Sequence, residues 1–244
     1  TGAHGMMMTD TVASMNKQIL ADKEALAEAL ATQVAEALMA ALQANGRALL
    51  AVSGGSTPKL FFRKLSEKDI DWAGVTVTLV DERWVDEASE RSNAALVKSS
   101  LLIGKAAAAR FFPLYTADET PQAALARLEA DFESLDLPIT AAVLGMGNDG
   151  HTASFFPQGD RLSAALDPDN QNTFIEMNAP GAGEPRITFT LSALLTSEFL
   201  ALHIEGAEKQ QVLGKALAGG PVEDMPVRAV LQQTRTELTI FWCP

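Results

Sequence analysis

Apolar residues recur every four positions at Leu26, Leu30, Val34, Leu38 and Leu42. That spacing paints one face of a helix over residues 22–44, and Asn45-Gly46 supplies its stop. An unbroken apolar run, Ala48 to Val52, predicts a strand buried on both faces. Ser53-Gly54-Gly55-Ser56-Thr57-Pro58 follows. Thr57 is expected to cap, and Pro58 to begin, a helical segment from Lys59 to Leu65. The alternation then repeats. The β-branched run Val75 to Val80 reads as a strand, and Ser92 to Leu102 as a helix. Thr120-Pro121 announces a helix over Ala123 to Ser134. Thr140 to Leu144 reads as a strand leading into Gly145-Met146-Gly147-Asn148-Asp149-Gly150-His151. Phe174–Met177, Ile187–Leu191, Phe199–Ile204 and Leu238–Trp242 are strand-like; Ala207–Ala218 and Val227–Gln233 are helical. The Pro/Gly/Asp-rich stretch from Pro157 to Pro185, broken only by Phe174–Met177, is expected to be a surface excursion.

Strands alternating with helices predict an α/β fold of three layers, a mostly parallel sheet with helices on both faces. No compositional break, linker or internal repeat divides the 244 residues, so residues 8–244 are expected to form a single domain. Residues 1–5, with His4, look like a non-native remnant ahead of a natural start at Met6 to Met8. A net charge of −12 argues against nucleic-acid and anionic-membrane partners, which need basic surfaces. No 18-residue apolar run suggests a membrane span. The single cysteine, Cys243, permits no intrachain disulfide and fits a reducing, cytoplasmic compartment. With so few histidines and no other cysteine, no metal site is expected.

In open α/β sheets, ligands bind at the carboxyl ends of the strands, so the loops after Val52, Val80 and Leu144 become the candidates. The first is glycine-rich and leads into a helix. Its N–H groups suit an anion, and Ser53, Ser56 and Thr57 add hydroxyls; a plain tight turn is the alternative. It is not a P-loop, because the Gly-Lys-Ser/Thr ending is absent. The second, Asp81-Glu82-Arg83-Trp84, puts three charges at the functional edge, although taken singly a solvated loop with an internal ion pair accounts for them better. The third matches G-x-G-x-x-G through Gly145, Gly147 and Gly150, but Pro157 and Gly159 forbid the long crossover helix that a dinucleotide site needs. Its informative feature is Asp149-Gly150-His151: an imidazole in a strand-end loop is a natural base near neutral pH. His203, flanked by Leu202 and Ile204, reads as structural. A Ser-His-Asp triad from Ser53 or Ser56 lacks the G-x-S-x-G elbow.

Taken in order, these loops, with Arg91-Ser92-Asn93, His151-Thr152-Ala153-Ser154, Pro185-Arg186-Ile187-Thr188 and Gly206-Ala207-Glu208-Lys209, resemble the 6-phosphogluconolactonase family. The resemblance spans Leu49 to Trp242. Relatives include glucosamine-6-phosphate deaminases, which share the Asp-Gly-His loop and continue into Ile-Ala-Phe-Asn-Glu, whose Glu assists ring opening. Here Phe156 stands in that Glu's place.

The resemblance implies a glucosamine-6-phosphate deaminase/ribose-5-phosphate isomerase-like fold. It implies hydrolysis of 6-phospho-D-glucono-1,5-lactone without metal or organic cofactor. His151 would be the base. Asp149 would orient it or bind a sugar hydroxyl, and Arg83 would stabilise the oxyanion or switch between substrate and Asp81. Ser53, Gly54, Gly55, Ser56 and Thr57 would cradle the phosphate, with Arg186 and Lys209 closing around it. An amino-sugar-phosphate deaminase and a non-catalytic phosphosugar sensor are the competing functions. Monomer and homodimer remain equally open.

Overall fold

A computed structural model describes residues 15–117, 119–135 and 138–244. The leader at residues 1–5 and the start at Met6 to Met8 lie outside the described residues. The elements run β1 (Met15–Ile19), α1 (Lys23–Asn45), β2 (Ala48–Val52), α2 (Lys59–Ser66), β3 (Val75–Leu79), β4 (Asp81–Arg83), α3 (Asn93–Ser100) and β5 (Arg110–Phe112). They continue as α4 (Pro121–Glu133), β6 (Ala141–Leu144), α5 (Leu162–Leu166), β7 (Phe174–Met177), β8 (Arg186–Phe189) and α6 (Leu191–Leu194). The chain closes with β9 (Phe199–Glu205), α7 (Ala207–Leu217), α8 (Val227–Gln232) and β10 (Leu238–Cys243).

Seven strands form a parallel sheet in the order β1-β10-β9-β6-β2-β3-β5. Every residue of β2 and β6 is buried, as their unbroken apolar runs require. From β2 the chain builds outward through β3 to β5, then returns to the other side of β2 with β6. The switch point therefore lies between β2 and β6, and a crevice opens there beyond the strand ends. The loops leaving Val52 and Leu144 are its two walls.

Helix α1 follows its pattern closely. The Asp22 side chain accepts the Ala25 N–H at 2.8 Å as N-cap, and Gly46 closes the far end. By length and composition this helix is apolar enough to cross a membrane. Here its Leu26, Leu30, Val34 and Leu38 are fully buried in the core. Ser92 and Thr120 cap α3 and α4 in the same way. At α2 the expectation fails in detail: Pro58 is the N-cap, one place earlier than its expected role, and no side chain caps the helix. Thr57 is left free of that duty.

Four departures from the sequence reading matter. Asp81–Arg83 is not a loop but β4, the edge of a second, antiparallel sheet β4-β8-β7. The stretch from 157 to 185 is correspondingly more than an excursion, since it carries α5 and the outer strand β7. Strand β1 was not foreseen; Met15, Asn16, Lys17 and Ile19 are exposed on it, so no buried face marks it. The strand expected to reach Leu191 stops at Phe189, and Thr190 instead caps α6 through the Ala193 N–H.

Candidate active site

A cavity of about 190 Å³ occupies the switch-point crevice. Ser53, Gly54 and Thr57 border it from the first loop, Asp81 and Arg83 from β4, and His151 from the third loop. Arg186 at the start of β8 and Lys209 in α7 complete the charged wall. Residues spread over more than 150 positions thus face one space. Gly55, Ser56 and Asp149 do not border it; the first two are exposed at the loop's outer turn.

The third loop holds the imidazole by three contacts. Asp149 Oδ1 lies 2.6 Å from His151 Nδ1 and also accepts the His151 backbone N–H at 3.0 Å. A carboxylate can only accept, so Nδ1 carries the proton and Nε2 is left basic. Burial opposes the charge on Asp149, but the bonds from the His151 ring and backbone outweigh it and hold the carboxyl below its ordinary range. The ring also stacks on Phe156, with centroids 4.3 Å apart and planes at 23°. A Cβ on Gly147 would come within 2.2 Å of His151 Cε1, so only glycine lets the ring lie there. Gly147→Ala should therefore lower turnover by roughly 10²-fold through a displaced base, with an unchanged melting temperature. Steady-state kinetics and thermal unfolding would check this, and full activity would contradict it.

The first loop, Ser53 to Pro58, is the candidate anion site. Among the described residues, no acceptor is hydrogen-bonded to the N–H groups of Gly54, Gly55, Ser56 or Thr57. They precede an uncapped helix start, a favourable place for an anion. The Ser53 hydroxyl is already committed, donating to Val143 O at 2.9 Å. It bridges β2 and β6, which weakens the sequence reading of Ser53 as an anion donor or nucleophile; its contribution to the wall is structural.

Asp81 is buried, accepts the Ser154 hydroxyl at 2.6 Å and lies 3.6 Å from Arg186 Nη1. Ser154 reaches it because the chain turns tightly between Thr152 and Phe155, with Ala153 at φ 52. Arg186 donates to Ala182 O at 2.8 Å, and its guanidinium lies 4.9 Å from the Phe156 ring centre. Burial pulls its pKa down; Asp81 opposes the change. A guanidinium stays charged in such surroundings. Nε of Arg186 and Nε of Arg83 are both buried and have no acceptor among the described residues. Arg83 also donates to Arg91 O at 2.8 Å. Lys209 Nζ donates to Asn148 Oδ1 at 2.8 Å, and Asn148 Nδ2 donates to Glu208. Two arginines, one ammonium and the unpaired Gly54 and Thr57 amides give the cavity a wall suited to an anionic, oxygen-rich ligand. Among the described residues, no three His, Cys, Asp or Glu side chains cluster as metal ligands.

A family model described as glucosamine-6-phosphate isomerases/6-phosphogluconolactonase matches residues 21–242. The chain belongs to this family. A 6-phosphogluconolactonase of Rhizobium meliloti is 54% identical over 231 residues, covering 95% of this chain and 100% of the relative. One from Mesorhizobium japonicum is 47% identical, covering 95% and 97%. The crystal structure of a 6-phosphogluconolactonase from Shewanella baltica superposes with a TM-score of 0.91 at 38% identity, covering 96% of this chain and 100% of that one. A monomeric glucosamine-6-phosphate deaminase shares the fold at 18% identity and a TM-score of 0.71.

Within this glucosamine-6-phosphate isomerase/6-phosphogluconolactonase fold, several residues at or behind the wall escaped the sequence reading. Ser154 and Asn148 do not border the cavity but bond Asp81 and Lys209, which do, and they carry no local signal beyond their loop. His203 was read as structural; it is buried and hydrogen-bonded to Glu205 at 2.7 Å, yet both border the cavity. Its side chain alternates with those of Leu202 and Ile204 along the strand, so apolar neighbours in sequence misreport its surroundings.

Proposed function

We propose that the chain hydrolyses 6-phospho-D-glucono-1,5-lactone to 6-phosphogluconate, in the oxidative branch of the pentose phosphate pathway, with a water activated by His151. The observation that carries the reading is that His151, held by Asp149, borders the same small cavity as Gly54 and Thr57 of the first loop. In this mechanism Nε2 of His151 takes a proton from water as the oxygen attacks C1 of the lactone. The carbonyl oxygen becomes an oxyanion, for which Arg83, with its orphaned Nε, is the nearest cationic candidate on β4. Collapse breaks the bond from C1 to the ring oxygen, and the imidazolium returns its proton to that oxygen. Asp149 keeps the tautomer correct and stabilises the imidazolium. The phosphate rests on the Gly54–Thr57 amides with Lys209 nearby, and Arg186 adds a buried positive charge. Anchoring a remote phosphate supplies binding energy that orients the ester. The net charge of −12 repels a dianion at long range, but screening over about 8 Å leaves the local cations dominant at contact. A cytoplasmic setting fits the one cysteine, buried and unpaired.

Phe156 argues for this chemistry over amino-sugar deamination. It is buried between His151 and Arg186 and has no proton to move. Freshly prepared phospholactone should release acid well above its spontaneous rate, followed by pH indicator or stat titration. Ammonia from glucosamine 6-phosphate in place of that acid would support deamination, and binding without turnover would support a sensor.

A further inference from the structure

Glu82 takes no part in these steps, yet it is fully buried beside the cavity. Its carboxylate accepts N–H bonds from Arg83, Asn93 and Ala94, each at 2.9 Å. Asn93 and Ala94 open α3, so one carboxylate ties β4 to the first turn of that helix. Asn93 extends the link in two directions. Its Nδ2 donates to Asp81 O at 3.1 Å. Its Oδ1 lies where a Cβ on Gly54 would come, at 1.9 Å, so the carboxamide is packed directly on the backbone of the anion loop. Burial pushes the Glu82 carboxyl up to about 7; the three N–H bonds oppose this, and nearby Asp81 adds to it. A buried carboxylate is a costly way to obtain stability alone.

We infer that Glu82 is a positioning residue that, through Asn93, sets the spacing between the anion loop at Gly54 and the reacting end at Asp81 and Arg83. The inference rests on the phospholactone reading of the cavity. A substrate held by its phosphate presents its carbonyl to His151 only if that spacing is kept. Loosening the link leaves the phosphate held and the carbonyl misplaced, so turnover falls while anion affinity survives.

The test compares wild type, Glu82→Gln and Asn93→Ala. It measures kcat and KM on phospholactone above the spontaneous rate, and the Kd of inorganic phosphate by calorimetry. Gln offers one oxygen and sets an NH₂ against an N–H donor, so that variant strains the fold. Asn93→Ala keeps all three Glu82 bonds, because their donors are backbone, and removes only the contacts to Gly54 and Asp81. The expected result for Asn93→Ala is a fall in kcat of roughly 10- to 100-fold with phosphate affinity within about threefold of wild type. Glu82→Gln, where folded, should show the same split more strongly. An unchanged kcat in folded Asn93→Ala overturns the inference, as does a parallel loss of phosphate affinity, which would confine Asn93 to shaping the loop. A wild-type chain that fails to accelerate phospholactone hydrolysis overturns the underlying reading instead, and shows itself before any variant is compared.

Discussion

His151→Ala is expected to lose roughly 10²–10⁴ in kcat on phospholactone, the usual worth of a positioned general base, or about 2.7–5.4 kcal/mol of barrier. KM and melting temperature should barely move. The reason lies in what the side chain touches. The imidazole is partly exposed on a loop, so its removal leaves no deep core void. Its partners are Asp149 and the face of Phe156, and neither belongs to the anion loop. The Gly54–Thr57 loop and both arginines remain. Residual turnover should then rest on binding and oxyanion stabilisation alone. Asp149 makes the arrangement durable in mild acid. Its lowered pKa means that it contributes folded-state stability above its ordinary value of 3.8 and loses it only as pH falls through the lowered one. Stopped assays of wild type and variant on fresh lactone would decide the point. Wild-type turnover in the variant would remove His151 from the chemistry.

Arg186→Ala should weaken phospholactone by roughly 10- to 150-fold in KM, the equivalent of the 1.5–3 kcal/mol carried by a hydrogen bond to a charged group. Glucono-1,5-lactone without a phosphate should suffer far less. The physical basis is the orphaned Nε: a buried guanidinium N–H without an acceptor favours a ligand that supplies one. The geometry also makes the comparison sharp, because Arg186 shares the Phe156 ring with His151 and lies 3.6 Å from Asp81. If both lactones lose equally, Arg186 serves the reacting carbonyl and not the phosphate. Some loss of thermal stability is expected as well, since Asp81 would be left buried without that cation beside it. Lys in place of Arg should not restore affinity, because an ammonium cannot keep the contact to Ala182 O and offer a second, fixed N–H.

Much of this molecule is written locally. The four-residue rhythm from Leu26 to Leu42 needs no partner to be recognised as a helix face. The all-apolar runs at β2 and β6 need none to be recognised as buried parallel strands. Strand, glycine turn and helix in succession imply a site at the strand ends, and Asp149-Gly150-His151 offers the candidate base because both partners of that hydrogen bond lie within three residues. What local pattern cannot carry is which distant segments meet. Glu82 reads as one of three loop charges until the first turn of α3 closes over it and removes it from water. Strand β4 exists only because residues 186–188 pair with it, more than 100 positions away. Strand β1 exposes most of its side chains and takes its strand form by pairing with the distant β10. Ser53 resembled an anion donor until β6 supplied the carbonyl that uses its hydroxyl. Periodicity and turn chemistry are set by a residue's immediate neighbours, so the chain states them by itself. Burial, partner choice and the distance between a base and an anion cradle depend on strand order, and only the folded chain sets that.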